Sequence, residues 1–294
     1  MDDYFLVDNS PQTEPEQHPT SMKRKRSSEL LLTPPLLTPP ISHCGTESER
    51  VVSRAVNVVS TAATALSQIS ILYQSDHAAS EGLVRAVEIL TRVQEDKGKL
   101  LVCGVGKSGL VGQKTVATMK SLGLACSFLH ASEALHGDLG DLRSNDAILF
   151  ISYSGKTPEL LHLLSHIPLS TPLLAISGHK HPSECLLLHN RPNAILLPAP
   201  IHESEEESFG VSAPTTSTTV AISVGDMLAL TLADQIYQDD TKNVFQRNHP
   251  GGTIGANARR KSLAQSVEVP VAKRTRTETT ALPPSPPKSG LGAE

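Results

Sequence analysis

The sequence predicts an α/β fold: a five-stranded parallel sheet sandwiched by helices and flanked by disordered tails. Three observations predict it. Five short, nearly continuous apolar runs recur after residue 99, stretches of helical periodicity separate them, and glycine- or hydroxyl-rich polar segments follow several of the runs. Strands covered on both faces read as unbroken apolar runs, and parallel strands need crossovers between them.

In chain order, residues 1–46 are rich in Pro, Ser and Thr and are expected to be disordered. They carry the repeat TPPLLTPP and the basic cluster Lys23, Arg24, Lys25 and Arg26. Two helices follow at 49–73 and 77–95, the second with Leu83, Val87, Leu90 and Val93 along one face. The expected strands are LLVCGV at 100–105, ACSFLH at 125–130, AILFIS at 147–152, PLLAIS at 172–177 and NAILLP at 193–198. An apolar helix then opens at the hydroxyl run TTSTT and continues to about Tyr237. From residue 261 the composition returns to that of a tail, with Lys273, Arg274, Arg276 and a second proline cluster. One folded domain is therefore expected over 47–260.

A formal net charge of -4 over 294 residues argues against bulk nucleic-acid binding. The acidic start MDDYFLVDNS lacks the order of a secretory signal, and no uncharged apolar run approaches the ~20 residues of a membrane span. Cys44, Cys103, Cys126 and Cys185 show no C-x-x-C spacing, so reduced thiols are expected. These features describe a cytoplasmic protein with no nucleic-acid and no membrane partner. The basic cluster reads either as a nuclear import signal or as an ordinary feature of a disordered tail.

In open parallel sheets ligands bind beyond the carboxyl ends of the strands, which directs attention to the segments after each run. The first is GVGKSG. A Walker P-loop would need glycine where Leu101 stands, so that motif is absent. Gly104, Gly106 and Gly109 match G-x-G-x-x-G, but the next strand ends in His130-Ala131-Ser132 without the acid that holds a ribose hydroxyl. What remains is a tight turn and a helix start, with Gly106, Lys107 and Ser108 suited to a small anionic ligand. After the third strand, Ser152, Ser154 and Thr157 surround Gly155 in a second anion-friendly turn. Thr216 and Ser217 lie in the third hydroxyl-rich helix start, where they either hold a sugar or cap the helix.

GVGKSG, HASEALHGDLG, SYSG with Glu159, APTTSTT and NHPGGTIG stand in the order found in the sugar isomerase (SIS) domain of arabinose 5-phosphate isomerases, which the chain resembles over roughly residues 50–260. The resemblance implies an αβα sandwich that binds a sugar phosphate and interconverts D-arabinose 5-phosphate and D-ribulose 5-phosphate. It implies that Ser152, Ser154 and Thr157 hold the phosphate, and that Glu133 and His136 lie near the sugar. Lys107, Glu159, one acid of the run Glu205, Glu206 and Glu207, and His249 match the proposed catalytic positions. It further implies a homo-oligomer whose active sites draw on two subunits. Aldose–ketose isomerisation needs a base, an acid and positive charge at the developing oxyanion. In this scheme Glu159 or an acid of the 205–207 run moves the carbon proton, His249 serves oxygen protons, and Lys107 stabilises negative charge. No metal or organic cofactor is required, and His130 and His136 lack tight metal-ligand spacing.

Three departures stand out. Lys156 occupies a position where the family usually has an acid, and the acidic run replaces Glu-Ala-Cys-Pro-Leu-Gly with one extra residue before Ala213-Pro214. Spacing from Ala213-Pro214 selects Glu206, taken as the site acid, while spacing from Gly210 selects Glu205. The pair of CBS domains that follows many bacterial SIS domains is expected to be absent. His162, His166, His179, His181 and His189 are expected to be surface residues. The alternative function is a non-catalytic, sugar-phosphate-binding regulatory SIS protein. A dinucleotide oxidoreductase would require the missing ribose acid.

Overall fold

The computed structural model describes residues 46–251, apart from residue 192, together with Gly255. The basic cluster, the TPPLLTPP repeat, Cys44, the last expected tail at 261–294 and part of NHPGGTIG lie outside the described residues.

Five strands form one sheet: β1 (Leu100–Gly104), β2 (Cys126–Leu129), β3 (Ala147–Ile151), β4 (Leu173–Ser177) and β5 (Ile195–Pro198). All neighbours pair in parallel, in the order β2-β1-β3-β4-β5. Every residue of β1, β3, β4 and β5 is buried, so these segments lack polar alternation. The edge strand β2 leaves Ser127 and Phe128 partly exposed.

The helices are α1 (Glu47–Ser75), α2 (His77–Glu95), α3 (Lys107–Ser121), α4 (Ala131–Ala134), α5 (Pro158–Leu164), α6 (Glu205–Phe209), α7 (Thr216–Tyr237) and α8 (Thr241–Asn248). Two cores back the sheet. On one face Val102, Leu149, Ile151 and Ile176 pack with Leu90 of α2, Val116 of α3 and Val224 and Leu228 of α7. On the other, Leu101, Ile148, Phe150 and Ala175 pack with Leu160 and Leu163 of α5 and Leu187. Cys103, Cys126 and Cys185 are buried free thiols, and burial pushes Cys103 up to about 12. Local sequence marks the boundaries: Asp76 caps α2 by accepting from Ala79 N at 2.9 Å, and Ser204 with Glu207 forms a capping box on α6.

By length and composition α1 and α7 resemble membrane spans. In α7 that apolarity is largely used inside the core, where Val220, Val224, Leu228 and Leu232 are buried. In α1 it is not: only Thr61, Ala65 and Ile69 are buried, and Val51, Val52, Val56 and Val59 are 57–69% exposed.

The amino edge of the sheet is closed by polar groups that satisfy one another. Asp146, just before β3, accepts from Lys99 N at 2.8 Å, Lys99 Nζ at 2.8 Å and Arg143 N at 2.9 Å. Its burial alone would raise the carboxyl pKa, but these donors together hold it below the usual aspartate value. Arg191, before β5, donates to the carbonyls of Leu164, Ile167 and Pro168 at 2.7–2.8 Å. At the carboxyl edge, β1 leads into α3 on one face and β3 into α5 on the other. The crevice between those two strand ends is the switch point of this fold.

Candidate functional site

The crevice holds a cavity of about 350 Å³. Val105, Lys107 and Ser108 line it from the turn after β1, Tyr153 from the turn after β3, and Ser177 and Gly178 from the end of β4. Glu205 of α6 and Ser217 and Thr218 of α7 form a further wall.

The first turn is placed by backbone contact. A Cβ on Gly109 would lie 2.9 Å from the Gly104 carbonyl oxygen, and one on Gly104 would lie 2.8 Å from the Ser108 carbonyl carbon. Strand and helix can approach this closely only without those Cβ atoms. Gly106, at φ +58° between them, takes a positive φ that favours glycine. The first residues of α3, Lys107 and Ser108, are thereby set at the crevice. Among the described residues, neither the Lys107 ammonium nor the Ser108 hydroxyl has a hydrogen-bond partner.

The three consecutive acids part company. Glu205 Oε1 accepts from Ser217 Oγ at 2.6 Å, Ser217 N at 2.9 Å and Thr215 N at 3.2 Å, at the amino end of α7. Partial burial raises its pKa, and the hydrogen bonds together outweigh that, so the carboxyl sits below its usual value and is ionised at neutral pH. Glu206 instead accepts from Ser212 Oγ, and Glu207 is spent on the Ser204 capping box. The acid lining the crevice is thus Glu205 and not Glu206, the residue selected by spacing from Ala213-Pro214. Spacing from Gly210, which ends α6 in the left-handed conformation, points to Glu205.

The turn after β3 is internally tied. Ser152 Oγ lies 2.7 Å from Thr157 Oγ1, and Ser154 Oγ accepts from Lys156 N at 3.2 Å. These three hydroxyl residues stand beside the cavity without lining it, whereas Tyr153 lines it. His179, expected to be an ordinary surface residue, donates from Nε2 to the Ser154 carbonyl at 2.9 Å and has Glu184 3.9 Å from Nδ1. It braces the turn from the loop after β4. Nothing in its local sequence signals that role, since its partner is a backbone carbonyl 25 residues away.

Other expected site residues are not gathered here within one chain. Thr216 is buried, its Oγ1 has no partner among the described residues, and it lies off the cavity wall. Glu133 on α4, His136 just beyond it and Glu159 in the first turn of α5 are exposed, on the elements that cover the opposite face of the sheet. His249 follows α8; its Nδ1 donates to the Phe245 carbonyl at 2.7 Å, and its ring packs on Phe245 at 4.1 Å. The neighbouring Asn248 reaches the Lys120 and Ser121 carbonyls at the carboxyl end of α3. Lys107 begins that 15-residue helix, whose length is about 21 Å, so His249 lies at the far end from the crevice of its own chain. No cluster of three or more metal-ligating side chains occurs among the described residues.

A SIS-domain family model matches residues 95–231, from the last residue of α2 into α7. These residues are a SIS domain. The chain is homologous to arabinose 5-phosphate isomerases, being 36% identical to KpsF of Escherichia coli over 168 residues, which are 57% of this chain and 49% of that protein. Identity to GutQ of Salmonella typhi is 38% over 179 residues, 60% of this chain and 51% of the relative. The chain thus spans about half the length of the curated relatives it matches. Among solved structures, an Escherichia coli protein in complex with a sugar phosphate superposes with a TM-score of 0.55 at 28% identity. That likeness covers 67% of this chain and 97% of the other. The SIS domain and the five-stranded sheet agree with the fold expected from the sequence.

Proposed function

We propose that the chain is a sugar-phosphate aldose–ketose isomerase that interconverts D-arabinose 5-phosphate and D-ribulose 5-phosphate through an enediol. The observation that carries this reading is the pairing, across one switch-point crevice of a SIS domain, of the unpartnered Lys107 with the ionised Glu205. A positive charge and a base facing one cavity are what proton abstraction next to a carbonyl needs. Lys107 and Ser108 stabilise the developing oxyanion. Ser152, Ser154 and Thr157, with Lys156 beside them, hold the phosphate. Glu205 or Glu159 moves the carbon proton, and His249 serves oxygen protons through Nε2, since Nδ1 is spent on Phe245.

His249 and Glu159 act in this scheme by entering the crevice of a second copy of the chain. The unpartnered valines of α1 provide apolar surface for such a homo-oligomer, because exposed stripes of this kind mark association sites. The same separation of His249 and Glu159 from the crevice favours the alternative, a sugar-phosphate-binding regulatory protein, if the chain proves monomeric.

The test is an assay of the purified protein with D-arabinose 5-phosphate, following ketose formation, beside His249→Ala and a measurement of molecular mass in solution. Turnover by an oligomer, lost in the variant, supports the isomerase. Absence of turnover together with thermal stabilisation by the sugar phosphate would replace it with the regulatory reading.

A further inference from the structure

We propose that the ring of Tyr153 sets the length of sugar that the crevice accepts, admitting a five-carbon chain and excluding a six-carbon one. This inference rests on the sugar-phosphate reading above. Tyr153 stands between Ser152 and Ser154, the hydroxyl residues assigned to the phosphate, and its side chain lines the cavity while theirs do not. A ligand anchored at that turn meets the tyrosine ring as soon as its carbon chain enters the crevice.

The ring is held in place rather than loosely exposed. Its backbone carbonyl accepts from Gly178 N at 2.9 Å and Ser177 Oγ at 3.0 Å, pinning the residue to the end of β4. The ring itself lies directly over Gly178: a Cβ there would fall 2.6–2.9 Å from three ring carbons. Glycine at 178 is therefore the seat on which the ring rests. Burial raises the pKa of the phenol, with the Ile201 backbone opposing the rise and the Glu205 charge adding to it. The side chain thus extends from the serine turn to the loop after β4, in the cavity that Glu205 also lines. It forms one wall of the cavity, seated on Gly178, and 43% of the residue's surface stays open.

A seated ring discriminates by excluded volume, and one carbon unit in an apolar pocket is worth about 10- to 200-fold in kcat/KM. The experiment compares pentose 5-phosphates with hexose 6-phosphates as substrates for wild type, Tyr153→Phe and Tyr153→Ala, with thermal melting to establish that each is folded. Wild type is expected to prefer the pentose phosphate, Tyr153→Phe to keep that ratio within about threefold, and Tyr153→Ala to shift it toward the hexose phosphate by about tenfold or more. Gly178→Ala, which unseats the ring while keeping it, is expected to shift the ratio in the same direction.

An unchanged ratio in Tyr153→Ala, with wild-type turnover intact, overturns the inference and leaves the isomerase standing. A shift as large in Tyr153→Phe as in Tyr153→Ala also overturns it, since the hydroxyl would then be the discriminating group. If wild type binds without turnover, the isomerase fails and the same ratio, read from thermal stabilisation by each sugar phosphate, decides the role of Tyr153. A wild type indifferent to every sugar phosphate overturns both.

Discussion

The two edges of the sheet carry similar polar groups and use them in opposite ways. At the amino edge, Asp146 is saturated by Lys99 and Arg143, and Arg191 spends its guanidinium on three carbonyls. At the carboxyl edge, Lys107 and Ser108 face a cavity with no partner among the described residues. The amino edge stabilises by satisfying its charges internally. The carboxyl edge keeps donors free for something that is not protein. A lysine is informative here because of what it fails to touch.

Substitutions at the two edges should therefore separate activity from stability. The largest effect is expected at Lys107→Met: a fall of about 10²- to 10³-fold in kcat/KM, the range for a lost oxyanion donor, with the melting temperature unchanged. A large loss of stability in that variant would erase the contrast between the edges. Asp146→Ala should do the reverse. Removing the carboxylate that accepts from Lys99 N, Arg143 N and the Lys99 ammonium, which Asp141 still holds, costs about 3 kcal/mol in a urea titration, while turnover per folded molecule stays at the wild-type level.

The pH dependence sharpens the same contrast. The folded-state pKa of Asp146 lies below its unfolded value, so its stabilisation is complete above the unfolded pKa and is lost as pH falls through the folded one. As pH falls below the ordinary aspartate value of 3.8, the melting temperature of wild type should fall more steeply than that of Asp146→Asn. Parallel curves would mean that Asp146 is not the group that titrates. The smallest effect is expected at His179, which acts on the serine turn through a single hydrogen bond worth about 1 kcal/mol. His179→Ala should raise KM about fivefold with kcat nearly constant, and His179→Gln, whose amide also donates, should recover most of the loss.

What was legible in the sequence follows from how each feature is determined. The buried strands declare themselves because each needs apolar side chains on both faces, and the first turn declares itself because Gly104 and Gly109 sit in backbone contacts that leave no room for a Cβ and Gly106 takes a positive φ. The choice among Glu205, Glu206 and Glu207 was not decidable from spacing alone. It depends on which carboxylate meets the amino end of α7, a contact made across ten to twelve residues. Tyr153 was passed over because the hydroxyls on either side carried the motif, and its cavity-lining position depends on a glycine seat in another loop. His249 shows the opposite case: the motif names the residue, while the fold of one chain sets it at the end of α3 remote from Lys107.

The contact between Gly104 and Gly109 bears on how this crevice can change over evolutionary time. Lys107 owes its location to two backbones touching, not to the side chains packed around it. Neighbours such as Ser108, Tyr153 and Thr218 can be exchanged one at a time, and the set of molecules admitted will drift with them. The lysine will stay where it is through all of that drift, because relocating it would require the end of β1 and the start of α3 to come apart together.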